Sequence, residues 1–202
     1  MGNKKYEMIP DDTIKVDGNI LHRIRALRDI PEIGVKAGDL GGYIEKEDNL
    51  SHEGNCWVDD NSWVCDNAKV YDNGRVYLNA IVYDNARVYG HACVYDKARV
   101  YGDAQVYDNA EVCHDAWVSR NAKVYGNADV CGNVWVSHNA KVYGNARVYE
   151  HACVYDHAEV YGDAKVAGHA SVHGHANVCG NAKVSGRALV FGTDTVSTGI
   201  YT

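Results

Sequence analysis

Proline, phenylalanine and methionine are almost missing from this chain of 202 residues, which contains two Pro, one Phe and two Met. It also lacks any apolar run near the ~20 residues that cross a membrane as a helix. The first residues, MGNKKYEMIPDD, contain no apolar segment of the signal-peptide type. Tyr6 stands where N-myristoylation of Gly2 would favour Ser or Thr. We therefore expect a cytoplasmic protein without a membrane partner.

Positive charge is scarce as well, because 20 Lys and Arg stand against 27 Asp and Glu, for a formal charge of −7. Nucleic acids and anionic membrane surfaces attract a basic patch, so the balance argues against both as partners. Seven cysteines, an odd number without a secretory signal, are typical of reduced thiols. We expect this even of Cys113 and Cys131, which the architecture derived below brings within disulfide reach.

A six-residue phrase fills most of the chain and is clear in NAKVYGNARVYEHACVYDHAEVYG, residues 139–162. It can be phased without gaps from Asn55 to Thr198, which gives 24 consecutive units. All 24 have Val at the fourth place, and 19 have Ala at the second place. An amphipathic helix would repeat apolar residues every three and four positions, so this period excludes one.

Each unit is typical of a short strand followed by a bend. Ala and Val stand two positions apart, so both side chains point to one face of a strand. The pair that follows is Gly, Asp, Asn or His in nearly every unit, and these residues tolerate the positive φ that a corner needs. One such strand cannot bury its small inner face alone. Stacked units can, and a hexapeptide period is a signature of parallel β-helices.

The array resembles the hexapeptide-repeat family, whose members form left-handed parallel β-helices with three strands per coil. The resemblance covers residues 55–198 and implies an all-β, three-sided solenoid of about eight 18-residue coils. At a strand spacing of ~4.8 Å this prism is roughly 40 Å long. Together with the start of the chain, the array also resembles uncharacterised bacterial and phage-borne proteins labelled hexapeptide transferases. That label follows fold similarity and says little about chemistry.

Residues 1–54 do not carry the repeat cleanly. Alternating residues around Asp17-Gly18 in TIKVDGNILHRIRALRDI predict a β-hairpin, and a Gly-rich stretch leads into the first coil. We interpret this segment as a β-rich cap over the first coil's exposed edge, since solenoids need caps. A separate binding domain is the alternative, although so short a segment is small for an independent domain. Residues 199–202 form a short tail.

Residues one coil apart should stack on one face, so each face is readable as columns. One face has a mostly basic outward column at the third place of its units. Its fifth-place column is an unbroken series that we name the tyrosine ladder, which comprises Tyr71, Tyr89, Tyr107, Tyr125, Tyr143 and Tyr161. Cross-strand stacking that stiffens the solenoid is one interpretation. A platform for a sugar or a nucleotide is the other.

The second face has mixed charge in its outward column, from Trp57 to Lys183, and we expect plain solvent exposure there. The third face holds three of the four tryptophans, and we name it the tryptophan face. Its third places are Trp63, Ile81, Arg99, Trp117, Trp135, Cys153, Ser171 and Leu189. Its fifth places add Cys65, Tyr83, Tyr101, Tyr155 and Phe191. A patch of this kind is rarely left in water.

The candidate binding residues on the tryptophan face are Trp63, Ile81, Tyr83, Tyr101, Trp117, Trp135 and Leu189, and the tyrosine ladder completes the set. We expect the tryptophan face to join copies of this chain into a dimer or trimer. A foreign protein is a second possible occupant, and an N-terminal segment folded back over the face is a third. The face is the main functional feature that the repeat displays.

Catalysis has weaker support. Acyltransferases of the resembling family use a His near a subunit interface, with an acyl-CoA or acyl-carrier donor, and typically have a loop that leaves the coils. Here 24 units run without an insertion. His151 and His169 should stack at one corner, and His157 and His175 at the next, but stacking gives only pairs, whereas zinc takes three or four ligands. We predict no catalytic residue, metal or cofactor.

The sequence therefore favours a noncatalytic scaffold or interaction protein, of phage or mobile-element origin by the resemblance. A hexapeptide-type acyltransferase with an intersubunit His, such as His151 or His175, is the first alternative. A sugar- or nucleotide-binding module built on the tyrosine ladder is the second.

Overall fold

A computed structural model describes residues 4–202, and it forms a parallel β-solenoid with three sheets and about nine turns. The three-sided β-helix predicted from the repeat is therefore confirmed. Two short 3-10 helices, Pro31–Ile33 and Glu47–Asn49, lie before the regular coils. Within residues 4–202 no helix has the length and apolar character needed to cross a membrane.

The sheets correspond to the three faces. Sheet 1, which carries the tryptophan face, has the spatial order Tyr6–Val16, Asn19–Ala26, Leu40–Ile44, Trp63–Val64, Ile81–Val82, Arg99–Val100, Trp117–Val118, Trp135–Val136, Cys153–Val154, Ser171–Val172 and Leu189–Val190. Sheet 2 contains Trp57–Val58, Arg75–Val76, Cys93–Val94, Glu111–Cys113, Asp129–Gly132, Arg147–Glu150, Lys165–Val166, Lys183–Val184 and Ile200–Tyr201. Sheet 3, which carries the tyrosine ladder, contains Lys69–Val70, Arg87–Val88, Gln105–Val106, Lys123–Val124, Lys141–Val142, Glu159–Val160, Asn177–Val178 and Thr195–Val196.

The core of the solenoid consists of the inward Ala and Val of each unit. Neighbouring coils pair in register, as Val124 does with Val106 on one side and Val142 on the other. Ala122 and Val124 are fully buried, and the other inward Ala and Val are buried as well, except that Ala188 is half-buried and Val190 and Val196 are slightly open in the last coils. Because the inward residues are this small, the three walls can approach closely and their side chains can fill the centre.

The corners depend on the sixth place of each unit. Every sixth place from Asp60 to Gly192 has a positive φ, a conformation that Gly adopts freely and Asp tolerates. An acidic side chain there has a second role, because it accepts a hydrogen bond from the corner N–H of the next coil. Asp108 accepts from Gly126 N at 3.1 Å, and Asp84 accepts from Gly102 N at 3.0 Å. Asp and Gly are therefore the commonest corner residues for a physical reason.

The N-terminal segment pairs with the edge of sheet 1. Tyr6–Val16 and Asn19–Ala26 form an antiparallel hairpin whose turn residues, Asp17 and Gly18, both have positive φ. Leu40–Ile44 pairs antiparallel with the hairpin on one side and parallel with Trp63–Val64 on the other. Parallel stacking thus starts before the regular repeat, where Ile44 pairs with Val64. This irregular coil accounts for about nine turns where the repeat alone gives eight.

A buried lysine anchors the start of the chain to the first coil. Lys5 is fully buried, and its Nζ donates to the Cys56 carbonyl at 2.8 Å and lies 3.0 Å from Cys56 Sγ. Burial lowers the pKa of Lys5 and raises that of the Cys56 thiol. Tyr6 donates from its hydroxyl to the Leu50 carbonyl at 2.8 Å and packs edge-on against Trp57. Polar contacts of this buried kind fix the segment in one position.

The inward column generates a first prediction. Ala122→Leu should overfill the narrow core and lower the free energy of unfolding by about 1–3 kcal/mol. Lys123→Leu, one residue away on the outer surface, is the matched control and should change it far less. Urea unfolding of both variants is the measurement. Equal midpoints would contradict the inward and outward assignment.

The corner geometry generates a second. Asp108→Ala removes the acceptor for Gly126 N and leaves a residue with a Cβ at φ 60°, so it should cost about 1–2 kcal/mol. Asp108→Gly removes the same acceptor but relieves the backbone strain, and it should be the more stable of the two. Thermal unfolding compares them. If Asp108→Gly is the less stable variant, the strain argument is wrong.

Candidate functional site

The exposed centre of the tryptophan face is a pair of stacked indoles. Trp117 and Trp135 lie on adjacent strands with ring centroids 5.3 Å apart and planes within 4°. The Arg99 guanidinium covers the Trp117 ring at 5.1 Å, and Tyr101 meets that ring edge-on. Trp135 is 54% exposed, so the pair forms a ridge that ends in a largely uncovered indole.

The hairpin packs against the other end of the tryptophan face. Trp63 and Tyr83 pack against a small cluster that includes Leu21 of the hairpin. A hollow of about 460 Å³, lined by Ile81, Tyr83 and residues of the hairpin turn, separates the turn from the sheet. The N-terminal segment, one of the three occupants considered for the tryptophan face, therefore covers the end of the face at Trp63. The rest of the face, from Trp117 onward, lies beyond the hairpin.

Beyond Trp135 the face drops into a trough. The third-place column continues with the small residues Cys153 and Ser171. Ring stacks flank this floor on both sides: His151 with His169 at 4.8 Å, and Tyr155 with His173 at 4.9 Å followed by Phe191. Leu189, 64% exposed, closes the far end. The ridge, Trp117 and Trp135, and the trough, whose floor is Cys153 and Ser171, are thus consecutive in the third-place column of sheet 1. Each residue lies one coil from the next.

The ridge and trough carry little charge. The third and fifth places of sheet 1 from residue 117 to residue 191 contain no Lys, Arg, Asp or Glu. The third places of sheet 2 are mostly charged, and an Arg147–Asp129 ion pair at 3.1 Å lies among them. In a chain of net charge −7, this part of the surface can be covered without desolvating an ionised carboxylate, which would be expensive.

Trp57 is buried, although its place in the outward column of sheet 2 predicted exposure. The second face was expected to be exposed throughout, but Trp57 is 1% exposed. The first coil lacks a regular coil beneath it, and Tyr6 and the strand at Gly41 pack over the indole instead. A Cβ on Gly41 would lie 2.8 Å from the Trp57 ring and 2.5 Å from Val58 O. The expectation of exposure is therefore wrong at this position.

The tyrosine ladder is continuous. Successive rings from Tyr71 to Tyr161 stack with centroids 4.8–5.0 Å apart and planes within 7°. The faces of the inner rings are therefore covered by neighbouring rings, and a ligand would meet ring edges and hydroxyls. The hydroxyls reach the third place of the next coil, as Tyr143 does when it donates to Glu159 at 2.9 Å. Lys141 donates to the same carboxylate at 2.8 Å.

Electrostatics follow from this packing. Burial between rings raises the pKa of Tyr107 to about 12 and also raises that of Tyr71, Tyr89 and Tyr125. The hydrogen bond from Lys141 lowers the pKa of Glu159 and, reciprocally, raises that of Lys141. These shifts arise from packing and pairing along the solenoid, which is the setting of a structural ladder.

The histidine pairs stack as the columns predicted, with His157 and His175 at 4.7 Å. Two other groups in residues 4–202 bring three metal-ligating atoms together: Cys113 with His114 and Cys131, and Glu45 with Cys65 and Asp66. Neither includes a stacked His pair. Sequence reasoning noted the Cys113–Cys131 column and missed His114, although an adjacent His at the corner was a visible signal.

The thiol state of Cys113 and Cys131 differs from the expectation. Their Cα atoms lie 4.7 Å apart, and the two sulfurs form a disulfide. Seven free thiols were expected, and that is wrong for this pair. The remaining cysteines, Cys56, Cys65, Cys93, Cys153 and Cys179, are free.

Comparison with protein families gives one short match. A family model described as the YdcK beta solenoid repeat matches residues 104–120, about one coil of the array. The comparison with curated proteins gives no match. The family match agrees with the solenoid fold described above, whereas the resemblance to hexapeptide transferases receives no support from it.

Stacked tyrosines on all three sheets generate a third prediction. Because Tyr77, Tyr83 and Tyr107 have pKa values raised to about 12, native tyrosines should ionise later than the free side chain, which titrates near pH 10. Because protonated tyrosine is favoured in the folded state, its contribution to the free energy of unfolding is fully present below about pH 10. That contribution is lost as the pH rises towards 12. Absorbance titration of phenolate in native and urea-unfolded protein measures this. Coincident curves would contradict it.

Proposed function

We propose that this chain is a noncatalytic interaction protein that associates with a second copy of itself through the ridge and trough of the tryptophan face. The single observation that carries the proposal is the exposed Trp135 indole beside the small floor of Cys153 and Ser171. The ridge and the trough each occupy two adjacent coils of the same column. The ridge of one copy can therefore fit the trough of a second copy while its own trough receives the partner's ridge.

Symmetry makes the fit specific. Two copies face each other when a two-fold axis lies in the interface plane along the strand direction. If that axis passes between the strands of Trp135 and Cys153, the solenoids are antiparallel, and Trp135 of each copy enters the partner's trough at Cys153. Trp117 then lies opposite Ser171. Isologous contacts of this kind are the commonest way in which proteins form dimers.

Energetics support the same arrangement. Full burial of a large apolar side chain contributes roughly 1.5–3 kcal/mol, and the axis places two Trp135 and two Trp117 rings in the interface. Aromatic anchors in the centre of an interface are typical hot spots. The absence of charged side chains from the third and fifth places of this surface removes the repulsion that two acidic copies would otherwise feel there.

Features of the described residues favour interaction over catalysis. Hollows lie in surface grooves at the coil corners and beside the hairpin, and the histidines of the late coils, from His151 to His175, stack on one another or on a neighbouring tyrosine. An enclosed site with a few convergent polar groups is what small-molecule enzymes usually have. The hairpin over Trp63 also directs association to the other end of the face.

The proposal generates a fourth prediction, measured by sedimentation equilibrium. Trp135→Ala should weaken the dimer by about 10–100-fold, since it removes most of one anchor per copy. Cys153→Trp should also weaken it, because the new indole fills the trough. Cys93→Trp is the matched control, with the same place on sheet 2, and should leave the dimer unchanged.

A rescue experiment separates this arrangement from other dimers. In the double variant Trp135→Ala plus Cys153→Trp, large and small residues exchange places across the two-fold axis, so the dimer should regain most of its affinity. Wild-type protein that stays monomeric at tens of micromolar would sink the self-association proposal. A dimer indifferent to both single changes would sink the assigned face. Acyl-CoA turnover that disappears with His151→Ala or His175→Ala would overturn the noncatalytic assignment.

A further inference from the structure

A second site lies on sheet 2, away from the ridge and trough. Cys113 ends the strand Glu111–Cys113, and it pairs with Cys131 on the adjacent strand Asp129–Gly132 of sheet 2. His114 occupies the next corner, with φ 58°. The Nδ1 atom of His114 lies 3.2 Å from Cys113 Sγ, and the three ligating atoms all lie within 4.8 Å of one another.

Reduction of the disulfide would allow these three side chains to surround a zinc ion. Zn²⁺ binds thiolate at about 2.3 Å and imidazole at about 2.0–2.1 Å, so two thiolate sulfurs on a tetrahedral ion lie about 3.8 Å apart. Cys113 and Cys131 face outward from adjacent strands whose Cα atoms are 4.7 Å apart, which leaves room for the sulfurs to separate around an ion. Two thiolates and one imidazole, with a fourth position open, form a donor set that zinc sites use.

Charge around the group favours a cation. The Asp96 carboxylate accepts from His114 N at 3.3 Å and lies 3.8 Å from His114 Nδ1. It therefore holds the corner in place and is near enough to serve as, or to orient, a fourth ligand. His114 is exposed at the rim, so an ion has access from solvent while Cys113 stays buried.

The other three-ligand group is less suited to a metal. Its acidic oxygens are already engaged, because Glu45 accepts from Asp66 N at 2.6 Å and Asp66 accepts from Asn19 and from Asp84 N. Those contacts join the hairpin to the corner at Cys65. In the Cys113 group, the protein contacts of the thiols and the imidazole are mainly with one another.

We propose that Cys113, Cys131 and His114 form a Zn²⁺ site that is available when the two cysteines are reduced. The disulfide seen in the structure is the alternative state of the same sulfurs and excludes the ion. Binding to the thiol form displaces one proton from each sulfur, so affinity should rise with pH. Opening the disulfide needs two electrons, which a phosphine reductant supplies as it is oxidised to the phosphine oxide with oxygen from water.

The test uses the full chain with Zn²⁺ and with Co²⁺ as a spectroscopic probe. After reduction by a phosphine, we expect one Zn²⁺ per chain with a Kd below about 1 μM, and Co²⁺ should give tetrahedral visible bands with thiolate charge transfer. Cys113→Ser should weaken binding at least about 100-fold, since loss of a ligand should cost no less than loss of a supporting contact. His114→Asn, which tolerates the corner backbone, should weaken it by about tenfold or more.

Matched controls come from the same solenoid. His138→Asn changes an equivalent corner beside Ser137, and Cys93→Ser removes a free thiol on the same sheet. Neither should alter Zn²⁺ affinity. Oxidised protein that binds as tightly as reduced protein, or a reduced Cys113→Ser variant that binds normally, would overturn the proposal. Circular dichroism of each variant shows that the fold is retained.

Discussion

Burial of Ala and Val in a narrow three-sided core is the constraint on which the rest of this structure depends. Only small residues fit at the second place, where Ala122 is fully buried, and Val fills the centre of each wall. The hexapeptide spacing of this pair fixes the side length, and three sides fix the length of the coil. Since every coil repeats this geometry, any outward residue lies directly above its counterpart in the coil before.

Stacked columns explain how such a plain repeat acquires different surfaces. Tyrosines placed one coil apart become a continuous ring stack in sheet 3, whereas Trp117 and Trp135 become a ridge in sheet 1. Replacing the next two residues of that column with Cys153 and Ser171 turns the ridge into a trough. In the proposed function, a few changes at outward places thus create an interface without any change in backbone.

Sequence alone predicted what depends on the period. The register, the inward Ala and Val, the tyrosine stack and the histidine pairs all follow from spacing, and the hairpin follows from Asp17-Gly18. It did not predict what depends on irregular contacts. Burial of Trp57 requires the packing of Tyr6 and Gly41 over the first coil, and the buried Lys5 is a charged residue in a segment without a repeat. The metal-ligating cluster was missed because it combines two kinds of position. Cys113 and Cys131 belong to one fifth-place column, whereas His114 lies at the adjacent corner, and the prediction compared residues only within a column.

The central claim is an antiparallel dimer whose axis passes between the strands of Trp135 and Cys153. Pulsed electron spin resonance between identical labels in the two copies tests it most directly, with the label at Lys69 in one sample and at Lys123 in another. Lys123 is three coils nearer the axis, so the component of the label separation along the solenoid should be smaller by about 30 Å, from a strand spacing of ~4.8 Å counted in both copies. The account predicts a clearly shorter distance for Lys123. Equal distances, as in a parallel dimer, or no dipolar signal at either position would contradict it.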